Sequence, residues 1–251
     1  IMPSLVGSEM CIRDRPIIAL DFNHKKQIRD FLALFADEKL NIKIGMEAFY
    51  ANGPNIVHEL IQGQHDIFLD LKLHDIPNTV KKAMKVLAQL GVAMVNVHAQ
   101  GGLKMMEAAK AGLEEGCKGR GDRPKLIAVT QLTSLSEEDF SRDQVSTLSL
   151  EDSINHFARL AKEAGLDGVV CSPLESSRIH KELGPDFLTV TPGIRLKTDQ
   201  GDDQSRITTP SQARTYQSDY IVVGRPITQA KDPRLAYEQM YQAWNKQKGE
   251  R

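Results

Sequence analysis

Residues 66–99, DIFLDLKLHDIPNTVKKAMKVLAQLGVAMVNVHA, decide the fold class of this chain. The two ends of the stretch, DIFLDLKL (66–73) and VAMVNVHA (92–99), are nearly continuous apolar runs, which is typical of strands buried on both faces of a parallel sheet. The segment between them, VKKAMKVLAQLG (80–91), has apolar residues at helical spacing and ends in glycine, a helix stop signal. The stretch therefore predicts one strand–helix–strand unit.

The same alternation continues over the rest of the chain. Amphipathic segments at 28–38 and 153–165 predict further helices, and Pro226 is expected to open a last helix that runs toward Trp244. The polar stretch 136–150 is expected to form a short helical insertion over one end of the sheet. The remaining apolar runs are PIIALD (16–21), LNIKIG (40–45), KLIAVTQL (125–132), DGVVCS (167–172), FLTVTPGI (187–194) and DYIVVG (219–224).

Eight strand–helix units, at about 30 residues each, predict an α/β fold, a single (β/α)8 TIM barrel. A doubly wound open sheet is the alternative, because alternation alone does not show that the sheet closes. No Gly-x-Gly-x-x-Gly follows the first strand, which disfavours a dinucleotide-binding fold of that kind.

Composition excludes several classes of protein. The formal net charge of -1 gives no basic excess for a nucleic acid or an acidic membrane surface, and no apolar run reaches the ~18–20 residues of a membrane helix. The three cysteines are widely spaced and predict neither a disulfide framework nor a metal pair, so a cytoplasmic location is expected. No His/Asp/Glu set has metal-ligand spacing, and Cys171, within an apolar run, is expected to be inert.

The first fifteen residues, IMPSLVGSEMCIRDR, stand apart from this pattern. They lack the basic start and apolar core of a signal peptide and show no helical or strand period. We expect residues 1–15 to be a non-native or disordered arm, and residues 16–251 to form one catalytic domain.

The densest group of ionisable residues near an apolar run is DLKLHDIPNT (70–79). Because side chains alternate along a strand, Asp70, Lys72 and His74 are predicted to share one face, with Asp75 just beyond. In a (β/α)8 barrel the carboxyl end of a strand is the active-site face. Neighbouring carboxylates favour the ammonium form of a lysine, which suits proton donation or stabilisation of an anion. A purely structural ion-pair network is the alternative.

Other candidate site residues lie in or at the ends of neighbouring apolar runs. Lys43 and Asp21 are predicted to point near the same barrel mouth, although Lys43 could equally be an edge lysine whose stem is buried. His98 is more often a hydrogen-bonded core histidine than a ligand or base at such a position.

A phosphate site is predicted after the seventh and eighth strands, at TPGIR (191–195) and VVGRP (222–226). Gly224 permits close approach of the backbone, and Arg225 can add a charge-assisted hydrogen bond. The polar segment 197–206 between them is interpreted as a closing lid. The alternative is that glycine and arginine merely form a turn.

These motifs together resemble the bacterial orotidine 5'-phosphate decarboxylase family from about Pro16 to the end of the chain. The resemblance rests on the order of seven short motifs, of which HDIPNT and TPGIR are the most specific. They are ALD (19–21), IKIG (42–45), DLKLHDIPNT (70–79), NVHA (96–99), LTS (132–134), TPGIR (191–195) and VGRP (223–226).

The resemblance implies a cofactor-independent reaction that converts orotidine 5'-phosphate to UMP and CO2 in pyrimidine biosynthesis. It implies a homodimer, with Asp75 and Thr79 reaching into the partner's site. Lys72 would donate the proton to C6 of the pyrimidine, next to Asp70 and Lys43. The remaining implied substrate contacts are to the ribose (Asp21 and Lys43), the pyrimidine (Thr133) and the phosphate (Arg195, Gln204, Gly224 and Arg225).

Two other functions remain open at this point. Magnesium-dependent sugar-phosphate decarboxylases and aldolases of the same superfamily share the Asp-x-Lys-x-x-Asp core, but they carry an acidic metal ligand where this chain has Lys43, which disfavours magnesium. A non-catalytic barrel that binds a phosphate ligand is the second alternative. Burying charged side chains such as Asp70, Lys72 and Asp75 costs free energy, and a protein that only binds its ligand does not need them.

Overall fold

The computed structural model describes residues 14–36, 38–119, 121, 123–196 and 208–246. Within these ranges, Asp14 and Arg15 already pack on the domain. Arg15 is buried, its guanidinium donates to Asp66 at 3.0 Å, and the backbone oxygen of Asp14 accepts from Asn245 at 2.9 Å. The packed chain therefore includes the last two residues of the predicted arm, and the rest of that arm, residues 1–13, lies outside the described residues.

Eight parallel strands close into a barrel in sequence order, as the alternating pattern predicts, so the open-sheet alternative is wrong. Strand β1 pairs with β2 on one side and with β8 on the other, which removes both sheet edges. The strands are Ile17–Ala19 (β1), Asn41–Gly45 (β2), Asp66–Leu73 (β3), Met94–His98 (β4), Lys125–Val129 (β5), Gly168–Val170 (β6), Leu188–Thr191 (β7) and Tyr220–Val223 (β8).

Helices connect the strands and surround the barrel. Proline stands in the first turn of several of them, where its missing N–H costs no hydrogen bond. Those that the structure describes are Lys25–Ala33 (α1), Met46–Asn52 (α2), Pro54–Gln62 (α3), Pro77–Leu87 (α4), Gly102–Gly116 (α5), Glu137–Asp143 (α6), Leu150–Glu163 (α7), Pro173–Leu183 (α8), Pro210–Thr215 (α9), Arg225–Thr228 (α10) and Pro233–Asn245 (α11).

The prediction of one continuous last helix from Pro226 is wrong, because α10 ends at Thr228 and α11 begins at Pro233. The side chain of Asp232 accepts from the backbone N–H of Leu235 and so caps α11. A capped start followed by proline favours a new helix over continuation of the preceding one.

The insertion predicted at 136–150 contains α6 and packs at the carboxyl end of the barrel. Gln144, just after α6, hydrogen-bonds to Gln131 beyond β5 at 3.0 Å and to Gln100 beyond β4 at 3.3 Å. These amide contacts attach the insertion to the rim of the barrel that is formed by the carboxyl ends of the strands.

Two apolar layers hold the barrel. The larger layer lies between the strands and the helices, and it buries outward-facing apolar residues of every strand except β7. The smaller layer fills the barrel interior and includes Phe68, Val190 and Val222. This interior layer closes the barrel below the carboxyl ends of the strands, which is the end where (β/α)8 barrels bind ligands. Among the described residues, no helix combines the length and apolarity that crossing a membrane requires.

Candidate active site

A cavity of about 250 Å³ opens at the carboxyl ends of the strands. Apolar side chains of the barrel interior form its floor, and charged side chains from β2, β3 and the loops after β1, β7 and β8 form its walls. The polar and glycine residues lining it are Asp21, Lys43, Asp70, Lys72, Gly193, Arg195, Gly224 and Arg225. The cavity thus brings together eight residues separated by up to about 200 positions in sequence, most of which the sequence predicts as site residues.

Asp21, Lys43, Asp70 and Lys72 form one side of the cavity, which we call the charged wall. Asp70 lies at its centre. One of its carboxylate oxygens lies 2.6 Å from Nζ of Lys72, and the other lies 3.1 Å from Nζ of Lys43. Lys43 also contacts Asp21, at 3.3 Å. The side chain of Asp70 is only 10% exposed, so two ammonium groups neutralise a carboxylate that has lost most of its solvent.

The charge states within this wall follow from competing effects. Burial opposes the charge on Asp70, but attraction to Lys43 and Lys72, together with hydrogen bonds from Lys72 and Asn96, lowers its pKa. Burial also opposes the charge on Lys43, but attraction to Asp70 and Asp21 raises its pKa. At neutral pH Asp70 is therefore an anion and Lys43 a cation.

Asp70 and Lys72 share the inner face of β3 with Phe68, whereas Leu69 and Leu71 pack outward, as alternation along the strand predicts. The pairing of β3 with β4 shifts register between Leu69 and Leu73, and the backbone of Lys72 has φ = +51°. A non-glycine residue in this left-handed region costs about 1–2 kcal/mol. Such strain in a charged cleft is typical of functional positions.

Asn96 is a site residue that the sequence patterns did not predict. It lies in β4, is buried, and hydrogen-bonds both to the carboxylate of Asp70 and to the backbone N–H of Lys72. The only available signal was an asparagine inside the apolar run VAMVNVHA, where a polar residue demands a partner.

The opposite wall of the cavity carries the two predicted arginines. Arg195 follows β7 and is buried, and its guanidinium donates to the backbone oxygen of Ile194 at 2.9 Å. Arg225 follows β8 and is exposed at the start of α10. Gly193, with φ = +83°, makes the turn before Arg195, in a conformation that favours glycine.

The predicted lid, 197–206, and with it Gln204, lies outside the described residues. Its flanks are close together, since the backbone N–H of Arg195 donates to the oxygen of Thr208 at 3.0 Å.

Three predicted residues lie outside the cavity lining. Asp75 and Thr79 are both exposed, and Asp75 accepts from the backbone N–H of Ile76 at 2.7 Å. Thr133 is half-buried in the segment between β5 and α6. The structure of one chain thus brings none of the three to the charged wall.

Two histidines lie near the site, and His98 is placed differently from the prediction. His74 is exposed, and its ring lies 5.7 Å from the ring of His98, centroid to centroid. His98 is half-buried rather than a core residue, and burial, together with the nearby charges of His74 and Lys72, lowers its pKa. Cys171 is buried, and burial raises the pKa of its thiol, as expected of an inert cysteine.

No group of three or more His, Cys, Asp or Glu side chains within the described ranges could hold a metal ion. The ammonium group of Lys43 stands between the carboxylates of Asp21 and Asp70, and it would repel a divalent cation there.

A sequence model of the orotidine 5'-phosphate decarboxylase / HUMPS family matches residues 14–240. The chain belongs to this family. An orotidine 5'-phosphate decarboxylase of Listeria monocytogenes is 59% identical over 232 residues, which cover 92% of this chain and 99% of the relative. One of Lactococcus lactis is 55% identical over 233 residues, covering 92% and 98%.

Solved structures agree with this assignment. The crystal structure of orotidine 5'-phosphate decarboxylase from Lactobacillus acidophilus superimposes with a TM-score of 0.82 at 42% identity, covering 92% of this chain and 99% of that one. An uncharacterized conserved protein from Geobacillus kaustophilus gives the same TM-score at 47% identity, covering 91% and 99%. The family resemblance read from the motifs is therefore confirmed.

Proposed function

We propose that this protein decarboxylates orotidine 5'-phosphate to UMP and CO2 without a cofactor, as a step of pyrimidine biosynthesis. One observation carries the proposal: the Lys43–Asp70–Lys72 wall and the two arginines face each other across one cavity. Relatives named orotidine 5'-phosphate decarboxylase, at 59% and 55% identity, support the choice of substrate.

Lys72 acts as the proton donor in this proposal. When the bond between C6 and the carboxylate breaks, CO2 leaves and the electron pair remains on C6. The ammonium group of Lys72 stabilises this developing negative charge and then transfers a proton from Nζ to C6, which gives UMP. Lysine recovers the proton from solvent.

Asp70 and Lys43 set the charges around that step. Asp70 holds Nζ of Lys72 at 2.6 Å, and its own charge would repel a substrate carboxylate placed beside it. Lys43 keeps Asp70 ionised, and with Asp21 it offers hydrogen bonds to a ribose.

The phosphate group binds on the other side of the cavity. Arg225 and Arg195 provide positive charge there, and Gly224 leaves the backbone open to the ligand. Gln204 and the 197–206 segment are proposed to close over the phosphate, so that binding energy remote from C6 organises the site. Thr133 is proposed to contact the pyrimidine.

We also propose a cytoplasmic homodimer in which Asp75 and Thr79 complete the partner's site. Both are exposed on the segment after β3, and Ile76 between them is an apolar side chain that is 67% exposed. If Lys72 of one protomer works with Asp75 of the other, mixing inactive Lys72→Ala and Asp75→Asn proteins restores about one quarter of the sites. No recovery after subunit exchange would contradict a shared site.

An ultraviolet assay with orotidine 5'-phosphate, run with and without EDTA, tests the function. We expect the substrate absorbance to be lost at the same rate in both. A rate that EDTA abolishes and Mg²⁺ restores would favour a magnesium-dependent sister reaction. Binding of UMP without any turnover would favour a non-catalytic phosphate-binding barrel.

A further inference from the structure

Asn96 connects the two residues on which the proposed chemistry depends. Its Nδ2 donates to Oδ1 of Asp70 at 2.7 Å, and its Oδ1 accepts from the backbone N–H of Lys72 at 2.8 Å. It is 1% exposed and does not line the cavity. Any effect of Asn96 on a ligand must therefore pass through Asp70 or Lys72.

The strand pairing explains why a side chain is needed at this point. Leu69 pairs with Val95 and Leu73 pairs with Val97, so residues 70–72 on β3 lie opposite Asn96 alone on β4. Such a bulge interrupts the ladder and leaves backbone groups without their usual partners. The amide oxygen of Asn96 accepts one of them, the N–H of Lys72, whose φ of +51° marks the distorted residue.

We propose that Asn96 is a positioning residue that holds Asp70 and the bulged backbone of Lys72 in the reactive arrangement. A primary amide can donate and accept at the same time, which both contacts require. An ionised aspartate would accept but not donate, and alanine would do neither. The identity of the reaction rests on the function proposed above, whereas the positioning of Lys72 does not depend on it.

The proposal has a consequence for pH dependence. The charged and titratable groups around Asp70 are Lys43 from β2, Lys72 from β3 and His98 from β4, with Asp21 beyond Lys43. The hydrogen bond from Asn96 is one of the contacts that favour the ionised form of Asp70. Removing it raises the pKa of Asp70, so the acid limb of the pH–rate profile moves to higher pH.

The test compares Asn96→Ala, Asn96→Ser and Asn96→Asp with Asn41→Ala. Asn41 is a matched control because it is a buried strand asparagine, 3% exposed, that donates to the oxygen of Arg15 near the opposite end of the barrel. For each variant kcat, KM, the Kd of UMP, Tm and the pH–rate profile are measured.

We expect Asn96→Ala to lower kcat by about 100-fold, because displacement of a reacting group by about 1 Å has that effect. The Kd of UMP should change less than about threefold, since the substitution does not alter Arg195 or Arg225 on the opposite wall of the cavity. A hydroxyl can replace one of the two hydrogen bonds, so Asn96→Ser should recover part of kcat. Asn41→Ala should lower Tm while kcat stays near the parent value.

A kcat of Asn96→Ala near that of the parent would overturn the proposal. So would an equal loss in Asn41→Ala, which would indicate general destabilisation. If Asn96→Ala does not fold, Asn96→Asp tests the same point, because it can accept from the N–H of Lys72 but cannot donate to Asp70, so its kcat should also fall.

Hydrogen exchange at the Lys72 amide separates this proposal from the proposed function. It should be slow in the parent and faster in the Asn96 variants, whatever the substrate is. Unchanged exchange would overturn the positioning role, whereas a parent protein inactive on orotidine 5'-phosphate would overturn only the function.

Discussion

Replacement of Lys72 by alanine should abolish turnover while the barrel stays folded. The ammonium group is proposed both to protonate C6 and to stabilise its negative charge. General acid catalysis contributes about 10²–10⁴-fold, and preorganised electrostatic contacts contribute about 10²–10³-fold. We therefore expect kcat to fall by at least about 10⁴-fold, which corresponds to about 5.4 kcal/mol of barrier.

The cost to stability is smaller, because Asp70 keeps other partners. In Lys72→Ala its carboxylate still has Lys43 at 3.1 Å and the amide of Asn96 at 2.7 Å. The lost contact is one charge-assisted hydrogen bond to a side chain that is 25% exposed. This loss costs about 1.5–3 kcal/mol, which for a chain of this size lowers Tm by roughly 3–12 °C.

The assay follows loss of orotidine 5'-phosphate by ultraviolet absorbance, alongside UMP binding by calorimetry and Tm by differential scanning calorimetry. Lys125→Ala is a matched control, since Lys125 is a half-buried strand lysine at the amino end of β5. It should keep kcat near the parent value. If Lys72→Ala retained kcat within tenfold of the parent, with its fold intact, the proton-donor assignment would be refuted.

Three further predictions concern Arg225, Lys43 and Asp70. Arg225→Ala removes charge-assisted hydrogen bonds worth about 1.5–3 kcal/mol, so kcat/KM should fall by roughly 10- to 150-fold, and an unchanged kcat/KM would contradict the phosphate role. Chelation by EDTA should leave kcat unchanged, because Lys43 is placed where it repels a divalent cation; a Mg²⁺-dependent recovery would count against this. The pKa of Asp70 is lowered by its lysine partners, so its stabilisation is complete above the ordinary carboxyl pKa and is lost as pH falls through the lower folded value. In urea denaturation below about pH 4, Asp70→Asn should therefore lose less stability with falling pH than the parent does, and parallel curves would refute the assignment.

The architecture could be predicted from the order of apolar runs and amphipathic segments. All eight strands fall within the apolar runs, and α4 begins at Pro77 as a helix-opening proline indicates. These features are readable because strand and helix periods, prolines and glycines act over a few residues. The charged residues Lys43, Asp70 and Lys72 were also readable, since ionisable groups at the ends of apolar strands must have partners.

The break before α11 and the packing of Arg15 were not predicted. The first depends on a cap formed by Asp232, and the apolar and polar pattern around it is equally compatible with one helix. The second depends on Asp66, 51 positions further along the chain. Neither of these two contacts changes the spacing of apolar residues in the sequence, so the sequence pattern does not reveal them.

The construction of the charged wall depends on contacts between strands that are distant in sequence. The bulge at residues 70–72 and the role of Asn96 arise from pairing between β3 and β4, where Asp70 and Asn96 are 26 positions apart. Likewise, barrel closure brings β8 next to β1 and sets Arg225 across the cavity from Lys72. Local periodicity specifies which face of an element is buried, but register and closure depend on hydrogen bonds between distant segments, which exist only once the barrel has formed.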